Sequence, residues 1–547
     1  MTLLKRILRL LLHPAQFRKQ WQLLTGYLLF RARYAFIGSP VPATPTGEKI
    51  LIVNFTDSPY HAETEGILTR AMRARGITPV VATFRTNEWM QRYFRVCGVT
   101  DFVYFEETMR ACRDPRDEEE IRTFLATKPS NEDMLGYAFD GVNIGANALS
   151  VVLKNERAGS VDLSNPAIEQ RTIQLLTEAR SAVRAARAVL KEIDPKTLLF
   201  TETGYTPHGE LFAVAVERGM TPIQYVHSQR LDALTMKRYL TLENMVDPIS
   251  ISKPSWEKLK ATPWPKEEED AFMRELHGHY RDKTWFNFLS SRDKKHKTPE
   301  EVRTQIGLDP AKKTAIIFSH VVWDASFYYG KNLFKDFDDW LVQTVKTACE
   351  NPNIQWVIKL HPDYIWQTKF MEKDSEMRDM IAILANTGGT LPDHVKVVPP
   401  DTDISTYSFF GIADYCITVR GTIGLECPVF GITTFTAGTG RYANMGFTED
   451  SSSKEEYLEK MRTIHQIPSL SPERTTLARR HSYGLFAVRP AVVKSFTVQP
   501  VYDGDDVVDH RMSIHARTAK DIDTDPELQS LADWIVSSKE EDYMPLS

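Results

Sequence analysis

The strongest constraint on this chain is an alternation. Short β-branched runs bounded by turn residues recur between longer amphipathic stretches, and the series occurs twice. In the first half, residues 49–54 (KILIVN), 79–82 (PVVA), 102–105, 197–201 (TLLFT) and 222–226 (PIQYV) read as strands. Runs apolar on both faces belong to parallel sheets covered by helices. Residues 62–75, closed by Gly76, together with 88–96 and 209–217, supply the helices between them. Strand–helix–strand order at this spacing predicts right-handed crossovers and a parallel sheet. A polar helical insertion spans about 114–190.

In the second half, strands are expected at 314–318 (TAIIF), 354–360, 395–398, 415–419 and 433–436. Helices are expected at 337–350, 377–386, 405–412 and 423–430. The expected fold class is therefore α/β, with two Rossmann-like doubly wound domains facing a cleft, helical insertions and a basic N-terminal helix. The expected division is a basic segment at 1–46, a first Rossmann-like domain at 47–245 and a helical connector at 246–305. A second Rossmann-like domain follows at 306–490, then an acidic tail at 491–547.

The two ends carry opposite charge. Residues 1–47 hold no Asp or Glu, yet they carry Lys5, Arg6, Arg9, Arg18, Lys19, Arg31 and Arg33 among Leu, Phe, Trp and Tyr. The apolar stripes are too short and interrupted to span a bilayer, and no small-residue cleavage site follows them. Two readings stay open: a basic helix lying on an anionic inner-membrane surface, or a helix packed on the protein's own body. The tail carries Asp503, Asp505, Asp506, Asp509, Asp521, Asp523, Asp525, Glu540, Glu541 and Asp542. It reads as a solvated, loosely ordered extension, in which Leu528, Leu531, Trp534 and Ile535 allow one amphipathic helix.

Composition excludes several classes. The 547 residues are 42% apolar and 25% charged, which suits a folded core rather than disorder. No run approaches the ~18 apolar residues of a membrane span. A net charge of -5 argues against nucleic acid as a partner. The five cysteines (97, 112, 349, 416, 427) contain no CxxC pair, so a cytoplasmic, reducing setting is expected rather than a disulfide scaffold.

Doubly wound sheets bind ligands beyond the carboxyl ends of their strands. Unusual residues sit at several of those ends. In the second half these are Ser319-His320, then Lys359-Leu360-His361-Pro362, where the proline holds His361 in extended backbone. Arg420-Gly421-Thr422-Ile423-Gly424-Leu425-Glu426 joins a strand to a helix, a layout that offers free N–H groups and a cation to an anion. Its bland alternative is a glycine-permitted turn with an exposed Arg–Glu pair. Gly438-Thr439-Gly440-Arg441 follows the next strand. Asp401-Thr402-Asp403 precedes Ser405 and reads as loop and helix cap. In the first half, Asn54, Thr56 and Asp57, then Glu202, Tyr205, His208 and Glu210, then His227, Ser228, Gln229 and Arg230 follow three strands. Glu202 or His208 is the candidate general base, with ordinary caps as the alternative.

The runs VIKLHP (357–362), PPDTDISTY (399–407) and RGTIGLE…AGTGRY (420–442) together resemble the bacterial capsule and surface-polysaccharide biosynthesis proteins. Those are glycosyltransferases of the twin-Rossmann GT-B type, Kdo transferases among them. The resemblance covers 310–450 by motif and 47–230 by layout. It implies a nucleotide-sugar donor held by the second domain. Around its phosphates and ribose the resemblance puts His361 and the Arg420–Glu426 turn (Arg420, Gly421, Thr422, Gly424, Glu426), and the strand-end residues Ser319, His320, Lys359, Gly438, Thr439, Gly440 and Arg441 are the further donor-binding candidates. His361 would also act in catalysis. The acceptor, a polysaccharide or lipid-linked glycan, would meet the first domain near Asp57 and His227. The resemblance implies no metal and no cofactor. The rivals are a polyol-phosphate transferase, a sugar-nucleotide epimerase, or a non-catalytic partner in glycan assembly. A Rossmann dehydrogenase is disfavoured, because residues 54–60 contain no GxGxxG.

Overall fold

The computed structural model describes residues 14–282, 294–324, 326–362, 383, 387–503 and 506–546. Two sheets organise it. The first contains β1 (Lys49–Val53), β2 (Thr78–Thr83), β3 (Asp101–Tyr104), β4 (Thr197–Phe200) and β5 (Ile223–His227), all parallel. The KILIV run shows why it must be central. Ile50 and Ile52 enter the core on one face of the sheet, while Leu51 and Val53 enter the core on the other. A strand apolar on both faces has both covered by helices. On one side lie α1 (Pro14–Tyr34), α2 (Pro59–Arg73) and α3 (Glu88–Val96). On the other lie α4 (Gly145–Glu156), α5 (Pro166–Ile193) and α6 (His208–Glu217).

Two further strands extend this sheet: β6 (Ala233–Arg238), antiparallel to β5, and, from the tail, a short strand at Ala491–Val492. The second sheet is all parallel. It holds β7 (Thr314–Phe318), β8 (Gln355–Lys359), β9 (Val395–Val398), β10 (Tyr415–Thr418) and β11 (Thr433–Thr436), in the order β9-β8-β7-β10-β11. The order reverses at β7, so the crevice between β7 and β10 is its switch point. In the first sheet the same reversal falls between β1 and β4.

The expected strands all form, with bounds shifted by one or two residues. The expected helix at 405–412 is a tighter 3₁₀ segment, Thr406–Gly411, and the one at 377–386 lies almost wholly outside the described residues. The connector helices α7 (Lys253–Ala261) and α8 (Lys266–Asp282) pack Trp256, Phe272 and Tyr280 into the same core as Val357, Phe409 and Cys416. They act as part of the second sheet's helical cover. α9 (Phe337–Cys349) covers its opposite face with Trp340 and Leu341.

The tail departs from expectation. Its first residues form β12 (Ala491–Val492), which pairs antiparallel with β6 in the first sheet. β13 (Phe496–Asp503) and β14 (Asp506–Ile514) make a hairpin whose Phe496, Met512 and Ile514 share the core of Ile50 and Phe94. A helix does form at Pro526–Ser537, and Leu528, Leu531, Trp534 and Ile535 are buried on the first domain. Beyond it, the Asp542 carboxylate lies 2.8 Å from Lys237 Nζ and 3.4 Å from Arg489, with all three side chains shut from solvent. The reading of a solvated, loosely ordered tail is therefore corrected. Its net charge hid apolar residues on a helical and a strand period, and its acids meet buried cations.

Candidate functional site

The two sheets meet along a seam at their carboxyl ends. From the first domain comes residues 201–205. Glu202 Oε1 accepts the N–H groups of Thr203 (2.7 Å) and Gly204 (2.9 Å), which fixes its carboxyl at the end of β4. Burial raises its pKa, against those N–H bonds and the nearby Lys154 cation. Next to it, Tyr205 donates to Asp324 of the second domain at 2.7 Å, and Lys154 Nζ lies 4.1 Å above the Tyr205 ring.

From the second domain comes the loop after β7. Tyr328 packs its ring edge-on to Tyr205 (5.2 Å) and against the backbone of Gly204. A Cβ at position 204 would stand 2.3 Å from that ring, so the close approach requires glycine. Tyr329 hydroxyl receives a bond from Gln224 Nε2 of β5 at 2.7 Å. Two independent side-chain bonds thus tie the loop to the first sheet.

Arg420 holds the same loop from beneath. Its guanidinium donates to the carbonyls of Tyr328 (2.8 Å) and Ser326 (3.3 Å) and to the Asn332 amide oxygen. The sequence assigned Arg420 to a phosphate directly. Here Nη1 and Nη2 bond protein oxygens, so the residue positions the loop that bridges the seam. Burial lowers its pKa to about 10, which leaves it cationic at neutral pH.

His320 lines the switch-point crevice of the second sheet. Its Nε2 accepts the Val419 N–H at 3.1 Å and lies 3.0 Å from Thr418 Oγ1. The ring stacks on Phe337 at 4.7 Å. Burial, with the His361 and Arg420 charges, lowers its pKa to about 3. His320 is therefore a neutral imidazole with Nε2 as acceptor, joining β7 to β10. One strand over, the His361 backbone N–H donates to Ser319 Oγ at 2.9 Å, and Lys359 completes β8 with its side chain buried near the Phe409 ring. Ser319, His320, Lys359, His361, Arg420, Gly421 and Thr422 thus gather at three adjacent strand ends.

The remaining donor candidates distribute differently. Gly424 admits the Tyr442 hydroxyl, which donates to Gly421 O at 2.7 Å; a Cβ there would stand 2.0 Å from that oxygen. Glu426 points into the helical cover beside Tyr280, where burial raises its pKa to about 7. That location corrects the reading of a ribose-binding carboxylate and the alternative of an exposed Arg–Glu pair. Thr439 exchanges bonds with Lys331, its N–H reaching Lys331 O at 2.8 Å and its Oγ1 accepting from Lys331 N at 2.7 Å. Gly438 and Gly440 lie against Lys331 and Arg420, so the backbone approach they permit is to the protein's own loop. Arg441 of the second domain pairs with Asp247 of the connector at 2.6 Å. Asp403 pairs with Lys297 at 2.6 Å, and Ser405 caps the turn that follows.

In the first domain, His208 opens α6 with its ring 4.8 Å from Phe55, and burial lowers its pKa to about 4. It flanks the β1–β4 switch point. The acceptor candidates stand apart from this seam. Asp57 is exposed and pairs with Lys19 of α1 at 2.9 Å. His227 stacks among Tyr60, His61 and His510 beneath the C-terminal hairpin, and burial lowers its pKa to about 3. Among the described residues, no cluster of His, Cys, Asp or Glu is arranged to hold a metal ion, and no helix is long and apolar enough to cross a membrane.

Sequence reasoning missed Asp324, Tyr328, Tyr329, Gln224 and Lys154. The signal for three of them was present in VVWDASFYYG (321–330), an aromatic run closed by glycine immediately after a strand.

No protein-family model matches the sequence, and no curated protein matches it. Solved structures do. A UDP-GlcNAc 2-epimerase from Neisseria meningitidis, bound to UDP-GlcNAc, is 11% identical over 79% of this chain and 95% of that one, with a TM-score of 0.27. The β-Kdo 2,7-transferase KpsC of Thermosulfurimonas dismutans is 15% identical over 57% of this chain and 82% of that one, with a TM-score of 0.31. A sucrose-phosphate synthase from Thermosynechococcus elongatus is 10% identical over 80% and 95%, also at 0.31. The Kdo-transferase resemblance read from the motifs thus recurs among solved structures. At these identities and TM-scores the likenesses carry no argument about activity, and the α/β twin-sheet assignment rests on the strand order itself.

Proposed function

We propose that the chain is a glycosyltransferase that moves a sugar from a nucleotide-activated donor to a surface polysaccharide or lipid-linked glycan. The observation that carries this reading is the seam. Two doubly wound sheets turn their carboxyl ends toward one another, and a carboxyl with a raised pKa stands on one side, imidazoles and polar strand ends on the other. The second sheet's crevice takes the donor, with His361, Ser319, Gly421 and Thr422 at its diphosphate. The first sheet presents the acceptor hydroxyl to Glu202. One Glu202 oxygen is fixed by two backbone N–H groups, and the other accepts the proton as the hydroxyl attacks the anomeric carbon. The bond from that carbon to the donor phosphate breaks, and the charge builds on the leaving diphosphate, where strand-end N–H groups and His361 stabilise it. Tyr205–Asp324 and Gln224–Tyr329 hold the domains closed and keep water from the donor. The basic amino-terminal segment keeps the enzyme at the inner face of the membrane, near lipid-linked acceptors.

The test pairs binding with product analysis. A panel of UDP-, CMP-, GDP- and CDP-compounds is screened for a rise in melting temperature, and the stabilising donor is then incubated with glycan acceptors. A glycosylated product lost in Glu202→Gln supports the assignment. A free epimer or a phosphodiester product refutes it in favour of the rival chemistry on the same frame. No stabilisation by any nucleotide sugar refutes it in favour of a non-catalytic partner.

A further inference from the structure

We infer that the outward face of α1 is the surface that lies on an anionic bilayer; this rests on the inner-membrane placement proposed above and names the residues that perform it. The helix has two apolar faces. Its inner face buries Phe30 between Tyr34 and Tyr93 and packs Tyr27 beside Trp89 and Tyr93. That contact accounts for the helix's attachment to the body. On the outward side Leu28 and Leu29 are 51% and 55% exposed, and Trp21 is 57% exposed.

Trp21, Leu28 and the small Ala32 fall on one line at helical spacing opposite Phe30, and Leu29 lies about a quarter-turn round from it on the same outward half. Arg18, Arg31 and Arg33 are all exposed around the same stripe. No acidic residue occurs anywhere in the helix. A helix with an outward apolar stripe, a tryptophan and a cationic border fits the interface of an anionic bilayer, where the apolar side chains enter the acyl boundary and the guanidinium groups meet phosphates. A soluble partner protein would call for an acidic complement of its own. A water-facing helix gains nothing from three large apolar side chains so exposed on its outward half. The complementarity of a wholly cationic border with a lipid phosphate surface selects the bilayer.

The experiment uses the full chain and sucrose-loaded vesicles of phosphatidylcholine alone or mixed with phosphatidylglycerol, read by co-sedimentation. The parent is expected to sediment with the mixed vesicles and not with phosphatidylcholine, and to be released by high salt. Leu28→Glu with Leu29→Glu is expected to weaken binding at least tenfold. Arg31→Glu with Arg33→Glu is expected to weaken it at least about twentyfold, since each surface cation contributes roughly fivefold. Both variants change outward-facing side chains, and their melting temperatures are expected to match the parent's. If the parent binds and both variants bind equally well, membrane placement stands and this face is not the one that performs it. If the parent binds neither vesicle, both readings fall. If gel filtration shows a dimer that the leucine variant dissociates, the stripe is a contact between copies of the chain, and the inference is overturned.

Discussion

Asp542 provides the sharpest test of how the tail is integrated. Its Oδ1 lies 2.8 Å from Lys237 Nζ and 3.4 Å from Arg489, and its Oδ2 accepts the Ser252 N–H at 2.7 Å. At an effective dielectric of ~20, unit charges at these separations attract by about 5–6 kcal/mol each. Desolvation of three buried ions offsets most of that. The cost of removing the anion alone is therefore the useful number, and for a buried pair it is about 3–5 kcal/mol. Arg489 keeps the carbonyls of Pro248 and Met236 as partners, whereas Lys237 is left with its charge uncompensated. Asp542→Asn is thus expected to destabilise the packing of 491–546 on the first sheet. Hydrogen exchange across α10 (Pro526–Ser537) at pH 7.5 is expected to accelerate about a hundredfold or more. The cations hold the Asp542 pKa far below its ordinary value. A depressed carboxyl contributes stability that is complete above the unfolded value of ~3.9 and is lost as pH falls below it, so the difference between parent and variant shrinks in acid. Lys237→Met combined with Asp542→Leu is expected to recover part of the loss. Exchange in Asp542→Asn within twofold of the parent at pH 7.5 would refute the claim that this ion cluster anchors the tail.

Glu202→Gln is expected to lower kcat by at least about a hundredfold with little change in melting temperature. In the parent, the acidic limb of the kcat profile is expected above the ordinary carboxyl value, because burial raises the Glu202 pKa. Gly204→Ala places a Cβ against the Tyr328 ring and is expected to cost about 1–3 kcal/mol and to loosen the seam, read as faster proteolysis at 322–333. Glu426 holds its proton to about pH 7, so its contribution is complete below the unfolded value of ~4.3 and lost as pH rises through 7. Glu426→Gln is therefore expected to match the parent in urea melts at pH 4 and to exceed it at pH 8 by up to about 3 kcal/mol.

Much of the fold was legible because a parallel sheet leaves an unambiguous mark: KILIV, TLLF and TAIIF are apolar on both faces, and that pattern needs helices above and below. The antiparallel additions left a weaker one. Residues 233–238 (ALTMKR) include Lys237 and Arg238, which look like surface cations until Asp542 and the carbonyls of Trp534 and Ile535 are placed beside them. Partners some three hundred residues apart leave no local trace. The same reason separates what the sequence could say of the seam from what it could not. His361, Ser319 and Glu202 were visible as polar residues at strand ends. That Arg420 binds loop carbonyls rather than a ligand depends on where 326–332 runs, and only the fold decides that.

The coupling of these parts gives the seam a direction of control. Arg420 leaves β10 at the crevice the donor would occupy, and it grips the segment whose Tyr329 and Asp324 bond the opposite domain. A ligand that shifts Gly421 or Thr422 therefore acts on residues adjacent to the one that holds the closing loop. Arg420→Lys keeps a charge but cannot span the Tyr328, Ser326 and Asn332 oxygens with one planar fork. It is expected to raise KM for donor and acceptor together, since the loop serves both domains. An Arg420 that instead gripped only the donor phosphates would, on the same substitution, raise KM for the donor and leave that for the acceptor unchanged. Steady-state kinetics with each substrate varied in turn separate these outcomes, and the second would show that the loop contact is incidental to the reaction.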